Sequence, residues 1–427
     1  MRPAITERTG RQGWRAAMAT MMLLGCPAMG MAMTVQQAVD AGLAIHPQVR
    51  AALAEAERAG TEIKIAKAGY YPALQVSGGP QAGDIGEMVY DVTLSQRLFD
   101  WGRVAGGVEG ATANQRKLGA ALEVTRDDAA LDIVETYLDV LVAERRVAAV
   151  RGFLERLQGI RGMTEARSGS GYADRTELDR ANLETARGQE QLALEEGALA
   201  DARNQLRILV GTEPGVLQDP EPASMAARLA GAGMEPAIER SPLLRRSAED
   251  VSVAEAELRQ AKAALLPQLN LEASALRREI GGQLQNDSVV SLRFRMDVMQ
   301  GFSNFQRPTA ARQRIESAHW TADATRRDLR RQLQTLFDTA QTLRWREESL
   351  QQQVGESEQV GVLYRDQFEV GRRDIIDLLS VQRERLEAER QLITLHMERK
   401  RMEYRAAAQV GLLGPLLEDR LDADSAQ

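Results

Sequence analysis

Residues 268–298 read QLNLEASALRREIGGQLQNDSVVSLRFRMDV, and two parts of this stretch alternate between apolar and polar side chains. The alternation covers 268–275 and again 290–298, and a period of two is typical of strands with one apolar and one polar face. Gly281-Gly282 and Asn286-Asp287 favour turns, so we expect them to connect the two strands. The stretch therefore predicts a strand pair.

The polar face of this pair is charged, because it carries Glu272, Arg293, Arg295 and Asp297. The second strand has about nine residues, close to the ~9–11 that a tilted strand needs to cross a bilayer. We expect the apolar face to meet outer-membrane lipid and the four charged residues to face a water-filled lumen. The alternative is a soluble sheet with one wet face.

The chain contains an internal repeat with an offset of about 195 to 200 residues. His46-Pro47 recurs as Ser241-Pro242, and a second alternating strand pair lies at about 73–99. The repeat predicts two equivalent halves, repeat 1 at 33–213 and repeat 2 at 241–416, the latter with its strand pair at about 268–299. A proline-rich crossover linker at 214–240 connects them. Outside the repeats we expect a signal peptide at 1–32 and a disordered tail at 417–427.

Long helices are expected outside the strands, because no proline occurs at 81–213 or at 309–414. Proline inside a helix costs ~3 kcal/mol, so these gaps permit uninterrupted helices. Apolar residues at helical spacing, such as Leu131, Val134 and Leu138, support them. A helix over 104–167 would be on the order of 95 Å long. The predicted class is mainly α with β.

Four strands cannot close a barrel that has a lumen, and open sheet edges are not tolerated in lipid. Two copies of the chain would give eight strands with a filled interior, whereas three copies would give twelve strands and a channel. We therefore expect a homotrimer.

The N-terminus is typical of a secretory signal peptide, with Arg2, Arg8, Arg11 and Arg15 before a short apolar stretch. The small residues around Met31 predict cleavage after Ala32. The alternative is a lipoprotein signal in which Cys26, the single cysteine, is lipidated.

Catalysis and nucleic-acid binding are not expected from the composition. The net charge is −7 without a basic block, which argues against a nucleic-acid partner. The three histidines have no metal-ligand spacing, and no nucleophile or phosphate-binding motif occurs, so we expect neither an enzyme nor a metal or cofactor site.

The order of several segments resembles the TolC family of outer-membrane channel proteins. They are the opening TVQQAV at 34–39, the sequence LSQRLFDWG at 94–102, and the segments that begin at Gly171 and Gly371. The resemblance covers residues 34–416 and rests on the order and doubling of these segments.

This resemblance implies a trimer in the outer membrane, with a twelve-stranded β-barrel continued by a long α-helical barrel through the periplasm. It also implies docking to a periplasmic adaptor and an inner-membrane transporter, either an ABC or a proton-driven one. The segment at 173–178 is similar to channels for type I protein secretion, which favours secretion over small-molecule efflux. The alternative is a periplasmic or lipid-anchored coiled-coil scaffold without a pore.

The two turns that follow the long helices carry the site residues that the resemblance implies. Arg167 and Gly171 match an adaptor-contact pattern, and Gln367 and Gly371 occupy the same places in the second copy. Helix termination at a glycine is the alternative.

Two acids follow the second glycine, and the resemblance places them at a closed pore. Asp374 and Asp377 are expected at this constriction, where three copies of Asp377 would select cations. The alternative is helix capping, in which Asp374 is the N-cap residue and Asp377 stands at N3.

Overall fold

The computed structural model describes residues 32–80, 88–169, 174–220, 225, 233–280, 283–296 and 303–417. The predicted signal peptide with Cys26, together with Gly171, Asp297 and the tail after Leu417, lies outside the described residues. The helices are α1 Val35–Ile45, α2 Pro47–Ala68, α3 Arg103–Gly169, α4 Arg175–Val210, α5 Met234–Arg240, α6 Pro242–Ala263, α7 Ser303–Glu369 and α8 Ile375–Gln409. The strands are β1 Ala73–Pro80, β2 Met88–Phe99, β3 Gln268–Ile280 and β4 Gln283–Arg295.

Two very long helices dominate the structure, and each belongs to one repeat. α3 and α7 have 67 residues each, so the long helix predicted at 104–167 is confirmed. α3 packs against α2, α4, α6 and α8, while α7 packs against α6 and α8. The mainly helical class and the two-repeat organisation are therefore confirmed.

Equivalent helices of the two repeats begin in the same way. His46 and Ser241 are the N-cap residues of α2 and α6, and a proline follows each at the first helical position. Proline is favoured there because the first helical N–H groups have no partner inside the helix. The recurrence of these residues in the sequence thus marks equivalent helix starts.

The four strands form one antiparallel sheet in the order β1-β2-β3-β4. The expected turn at Asn286-Asp287 is wrong, because both residues lie within β4 and pair with Arg277 and Leu276. The chain reverses between Ile280 and Gln283 instead. β3 and β4 are thus longer than their alternation suggested, since the outer halves of both strands carry polar residues on both faces.

The main apolar core joins the two repeats. It combines buried side chains of α3 with residues of α7 and α8, including Tyr137, Leu138, Leu329 and Tyr404. Leu417, predicted to begin the disordered tail, is instead buried in this core. The predicted linker also contains helix α5, whose Ile238 is fully buried.

The segment before α1 is fixed by the start of the crossover. Met33 forms an isolated parallel bridge with Leu217, and the hydroxyl oxygen of Tyr137 lies 2.6 Å from the carbonyl oxygens of both Met33 and Gln218. Nearby, Lys400 on α8 donates to the carboxylate of Asp219 at 2.9 Å. The crossover is therefore bound to both α3 and α8.

In the part of the chain that the structure describes, no helix has the length and apolar character needed to cross a membrane.

Candidate functional site: the helical turns and the two faces of the sheet

The turn between α7 and α8 has Gly371 two residues after the end of α7. Its φ of +74° lies in the left-handed region that glycine adopts without steric cost. The Gly371 N–H donates to the carbonyl of Phe368 at 3.0 Å, and the Arg372 N–H donates to the carbonyl of Gln367 at 2.8 Å. Gly371 and the Gln367 main chain therefore terminate the helix, and the Gln367 side chain is half-buried beside them.

Arg167 near the end of α3 reaches the end of α7. Its guanidinium lies 4.4 Å from the ring centroid of Phe368 and donates to the Phe368 carbonyl. Phe368 is fully buried in a second core with Leu157, Ile160 and Leu378. The structure thus brings Arg167 and the Gln367–Gly371 turn together.

The two acids after Gly371 have different surroundings. Asp374 is the N-cap of α8, and its carboxylate accepts from the Ile376 N–H at 2.9 Å. Asp377 is half-exposed and forms an ion pair with Arg373 at 3.4 Å. Arg373 also lies 3.8 Å from the ring centroid of Tyr364. Asp377 therefore carries a charge at the turn that Arg373 partly balances.

The corresponding residues of the first turn show a related arrangement. Asp174 is the N-cap of α4 without a side-chain bond to the helix N–H groups, and it accepts from the Thr176 hydroxyl at 3.0 Å. Glu177 stands in the first turn of α4. Helix capping thus explains Asp374 better than it explains Asp174.

One face of the sheet is apolar and exposed over all four strands. The register aligns Leu74, Leu94, Ala273 and Val290 in one row from β1 to β4. Val290 is 73% exposed, and Phe294 is 74% exposed. The exposed apolar residues of this face are Leu74, Val76, Tyr90, Val92, Leu94, Leu271, Val290, Leu292 and Phe294. Monomeric soluble proteins rarely expose a continuous patch of this kind.

The opposite face is polar and brings together three of the four residues predicted to face a lumen. The Glu272 carboxylate forms ion pairs with Arg293 at 3.1 Å and with Arg295 at 3.2 Å. This face therefore has paired charges at the end of the sheet that adjoins the helices.

No group of three or more His, Cys, Asp or Glu side chains in the described ranges is arranged to hold a metal ion.

The sequences of both repeats match one protein family. The outer membrane efflux protein family matches residues 38–212 and 234–410. The two matched ranges fall on the two structural repeats described above.

The chain belongs to the outer membrane efflux protein family.

Several solved structures have the same fold. This efflux family protein is similar to CusC with a TM-score of 0.77 and 15% identity, over 88% of this chain and 91% of that chain. For VceC of Vibrio cholerae the TM-score is 0.75 and the identity 15%, over 88% and 96%. For the MtrE outer membrane channel of Neisseria gonorrhoeae they are 0.72 and 17%, over 89% of both chains. The predicted resemblance to TolC-like channels is confirmed.

One curated relative is similar over a smaller share of the chain. Protein CyaE of Bordetella pertussis is 23% identical over 310 residues, which is 68% of this chain and 65% of that protein. The alignment thus spans less than two thirds of that relative.

Family membership fixes the general role and location. This efflux family protein is a transport protein of the outer membrane that extends into the periplasm, and it is not an enzyme.

Sequence reasoning missed the partners of the turn residues. Tyr364, Phe368 and Arg373 were not among the expected site residues. The spacing of Arg373 and Asp377, four positions apart at a helix start, is a visible signal for their ion pair. The contact of Arg167 with Phe368 joins positions 201 apart and has no local signal.

Proposed function

We propose that three copies of this chain form an exit duct through the outer membrane for type I protein secretion. The observation that carries the proposal is the sheet: one face is apolar and exposed on all four strands, while the chain continues from the sheet into 67-residue helices. Such a sheet is suited to lipid on one side and water on the other.

The edges of the sheet support assembly. Among the described residues, β1 pairs only with β2 and β4 pairs only with β3, so each of the two edges lacks a partner strand. Lipid cannot satisfy these N–H and carbonyl groups. Joining the β4 edge of one copy to the β1 edge of the next gives twelve strands in three copies, and the ring then has no open edge.

Apolar stripes on the helices support the same arrangement. Leu183, Leu194 and Ile208 are exposed on one side of α4, since their spacings of 11 and 14 residues are close to whole helical turns. Trp320, Trp345 and Leu363 form a similar exposed stripe on α7. A ring of copies would bury the α4 stripe of one chain against a neighbouring chain.

The turns at the far end of the helices are the proposed docking site for a periplasmic adaptor, itself bound to an inner-membrane transporter of the ABC or proton-driven class. Arg167, Gln367 and Gly371 lie together at this end, and Gly171 is proposed to complete the first turn. The exposed side chains of Val370 and Ile376 would add apolar contact area. Asp374 and Asp377 are proposed to line the constriction.

Secretion is favoured over small-molecule efflux because the segment at 173–178 is similar to secretion channels. Glu272, Arg293 and Arg295 would face the lumen, as would Asp297. A coiled-coil scaffold would not explain why the apolar face of the sheet is exposed, so it is the weaker candidate.

Disulfide cross-linking between the two sheet edges tests the assembly. In a Cys26→Ser background, Ser77→Cys on β1 is combined in turn with a cysteine at Asp287, Val289 or Ser291 on β4. We expect at least one combination to give covalent species of up to three chains in outer membranes under oxidation. The control combines Ser77→Cys with Ser274→Cys, which lies two strands away in the same chain. Monomers in every combination, or ladders beyond three chains, would contradict the proposal.

A further inference from the structure

The end of the sheet that adjoins the helices concentrates positive charge on its polar face. Arg293 and Arg295 both bind the carboxylate of Glu272, one through each oxygen. Glu272 has a side chain only 8% exposed, whereas the side chains of Arg293 and Arg295 are 59% and 60% exposed. A solute that passes this face therefore meets two guanidinium groups, with the carboxylate behind them.

The strand register adds a third arginine to this place. Arg97 on β2 and Arg293 on β4 both lie opposite Asn270, the buried residue between them on β3. Arg97 has an acidic neighbour, Asp100, at 3.9 Å. The Asp100 carboxylate also accepts from the N–H groups of Gly102 and Val104 at the start of α3. Arg97, Arg293 and Arg295 are called the arginine collar below.

The same face carries two acids toward its other end, together with Arg278. Asp91 on β2 and Asp287 on β4 both lie opposite Leu276 of β3. Six residues separate Leu276 from Asn270, which is about 20 Å along a strand at 3.3 Å per residue. The arginine collar and these acids are therefore too far apart to neutralise each other, since the Debye length is about 8 Å at physiological ionic strength.

We propose that the arginine collar binds acidic segments of a polypeptide in transit. The inference rests on the proposed function, because three collars must face one lumen to act together. Glu272 holds the two guanidinium groups with their N–H donors partly directed to solvent, and planar guanidinium groups bind carboxylates through paired hydrogen bonds. An acidic segment that leaves the helical part would reach the collar before it reaches Asp91 and Asp287.

The test is block of single-channel current by hexaglutamate in planar bilayers at low salt. We expect hexaglutamate to reduce the current and hexalysine to have a weaker effect. The double variant R293Q/R295Q should require about tenfold more hexaglutamate for half block, or more, because two charge-assisted contacts per chain are lost. R295K should be blocked more strongly than R293Q/R295Q but less strongly than the unchanged protein, since it keeps the charge and loses the paired hydrogen bonds.

Arg277→Gln is the matched control, because Arg277 lies on β3 but on the opposite, apolar face of the sheet. The hexaglutamate concentration for half block should be the same in Arg277→Gln as in the unchanged protein. Equal half-block concentrations in the unchanged protein and in R293Q/R295Q would overturn the collar while the conductance itself upheld the duct. A protein that gives no conductance would overturn the proposed function and the collar with it.

Discussion

The guanidinium of Arg167 lies 4.4 Å from the ring centroid of Phe368, and this contact joins the ends of the two longest helices. Arg167 also donates to the Phe368 carbonyl, which accepts from the Gly371 N–H as well, at the C-terminus of α7. The C-terminal end of α3 therefore stabilises the turn between α7 and α8. An adaptor that bound Arg167 would act on both turns.

Arg167→Ala is expected to loosen the second turn without unfolding the chain. Loss of the cation–π contact and the hydrogen bond should lower the local stability by about 1–2 kcal/mol. Hydrogen exchange of the amides at 368–374 should become faster, whereas Arg161→Ala, an exposed position on the same helix, should leave it unchanged. Equal exchange in both variants would show that Arg167 does not support this turn.

Asp377→Ala is expected to reduce the preference of the channel for cations, because three half-exposed carboxylates would be removed from the constriction. A change of about twofold in the cation-to-anion permeability ratio is reasonable for charges in a narrow passage. Arg373→Gln should shift the ratio the other way, since Arg373 partly balances Asp377. Unchanged selectivity in Asp377→Ala would remove Asp377 from the constriction.

Asp127 should make stability depend on pH. It lines a cavity of about 250 Å³ together with Asp40, Glu123 and Arg126. Burial, with the nearby charges of Asp128 and Glu123, raises the pKa of Asp127 to about 7, while Arg126 opposes this rise. An unfolded Asp has a pKa near 3.9, so the folded chain binds more protons between about pH 4 and 7. The free energy of unfolding therefore falls as the pH rises through this range.

Asp127→Asn removes this penalty. At pH 8 the variant should be more stable than the unchanged protein by about 1–2 kcal/mol, with allowance for partial exposure of the carboxyl group. Near pH 4 the two proteins should unfold at similar temperatures. Thermal unfolding at both pH values measures the effect, and exposed Asp132→Asn is the control. A stability difference that is the same at both values would contradict the assignment.

Tyr137→Phe should weaken the attachment of the N-terminal segment. The hydroxyl lies 2.6 Å from two part-buried carbonyl oxygens, so its loss should cost about 1–2 kcal/mol. The melting temperature should fall in Tyr137→Phe and stay constant in Tyr70→Phe, which removes a hydroxyl from a half-exposed ring. Equal melting temperatures would mean that this clamp contributes little.

The sequence was most informative where local chemistry decides the structure. The proline-free gaps correctly indicated the long helices, although α7 begins before the second gap and contains Pro308 near its N-terminus. Alternation at 268–275 and 290–298 located the second strand pair. The turn expected from the residue types at Asn286-Asp287 was wrong, because cross-strand pairing overrides the local preference of these residues for turns.

Contacts between distant positions were not predictable. Arg167 was identified through its place before a glycine-rich turn, but its partner Phe368 belongs to the other repeat. In the same way, the alternation pattern indicated one face for Glu272 and Arg293, whereas the position of Arg97 beside them depends on the register of β2 and β3. Register comes from packing across the whole sheet, and no single strand contains it.

The most direct test of the central claim is single-channel recording of the purified protein in a planar bilayer, with its mass determined in mild detergent. The account predicts a mass of three chains and stable conductance from that species. A soluble, elongated protein that is monomeric or forms no conducting species would contradict the duct and would favour a coiled-coil scaffold.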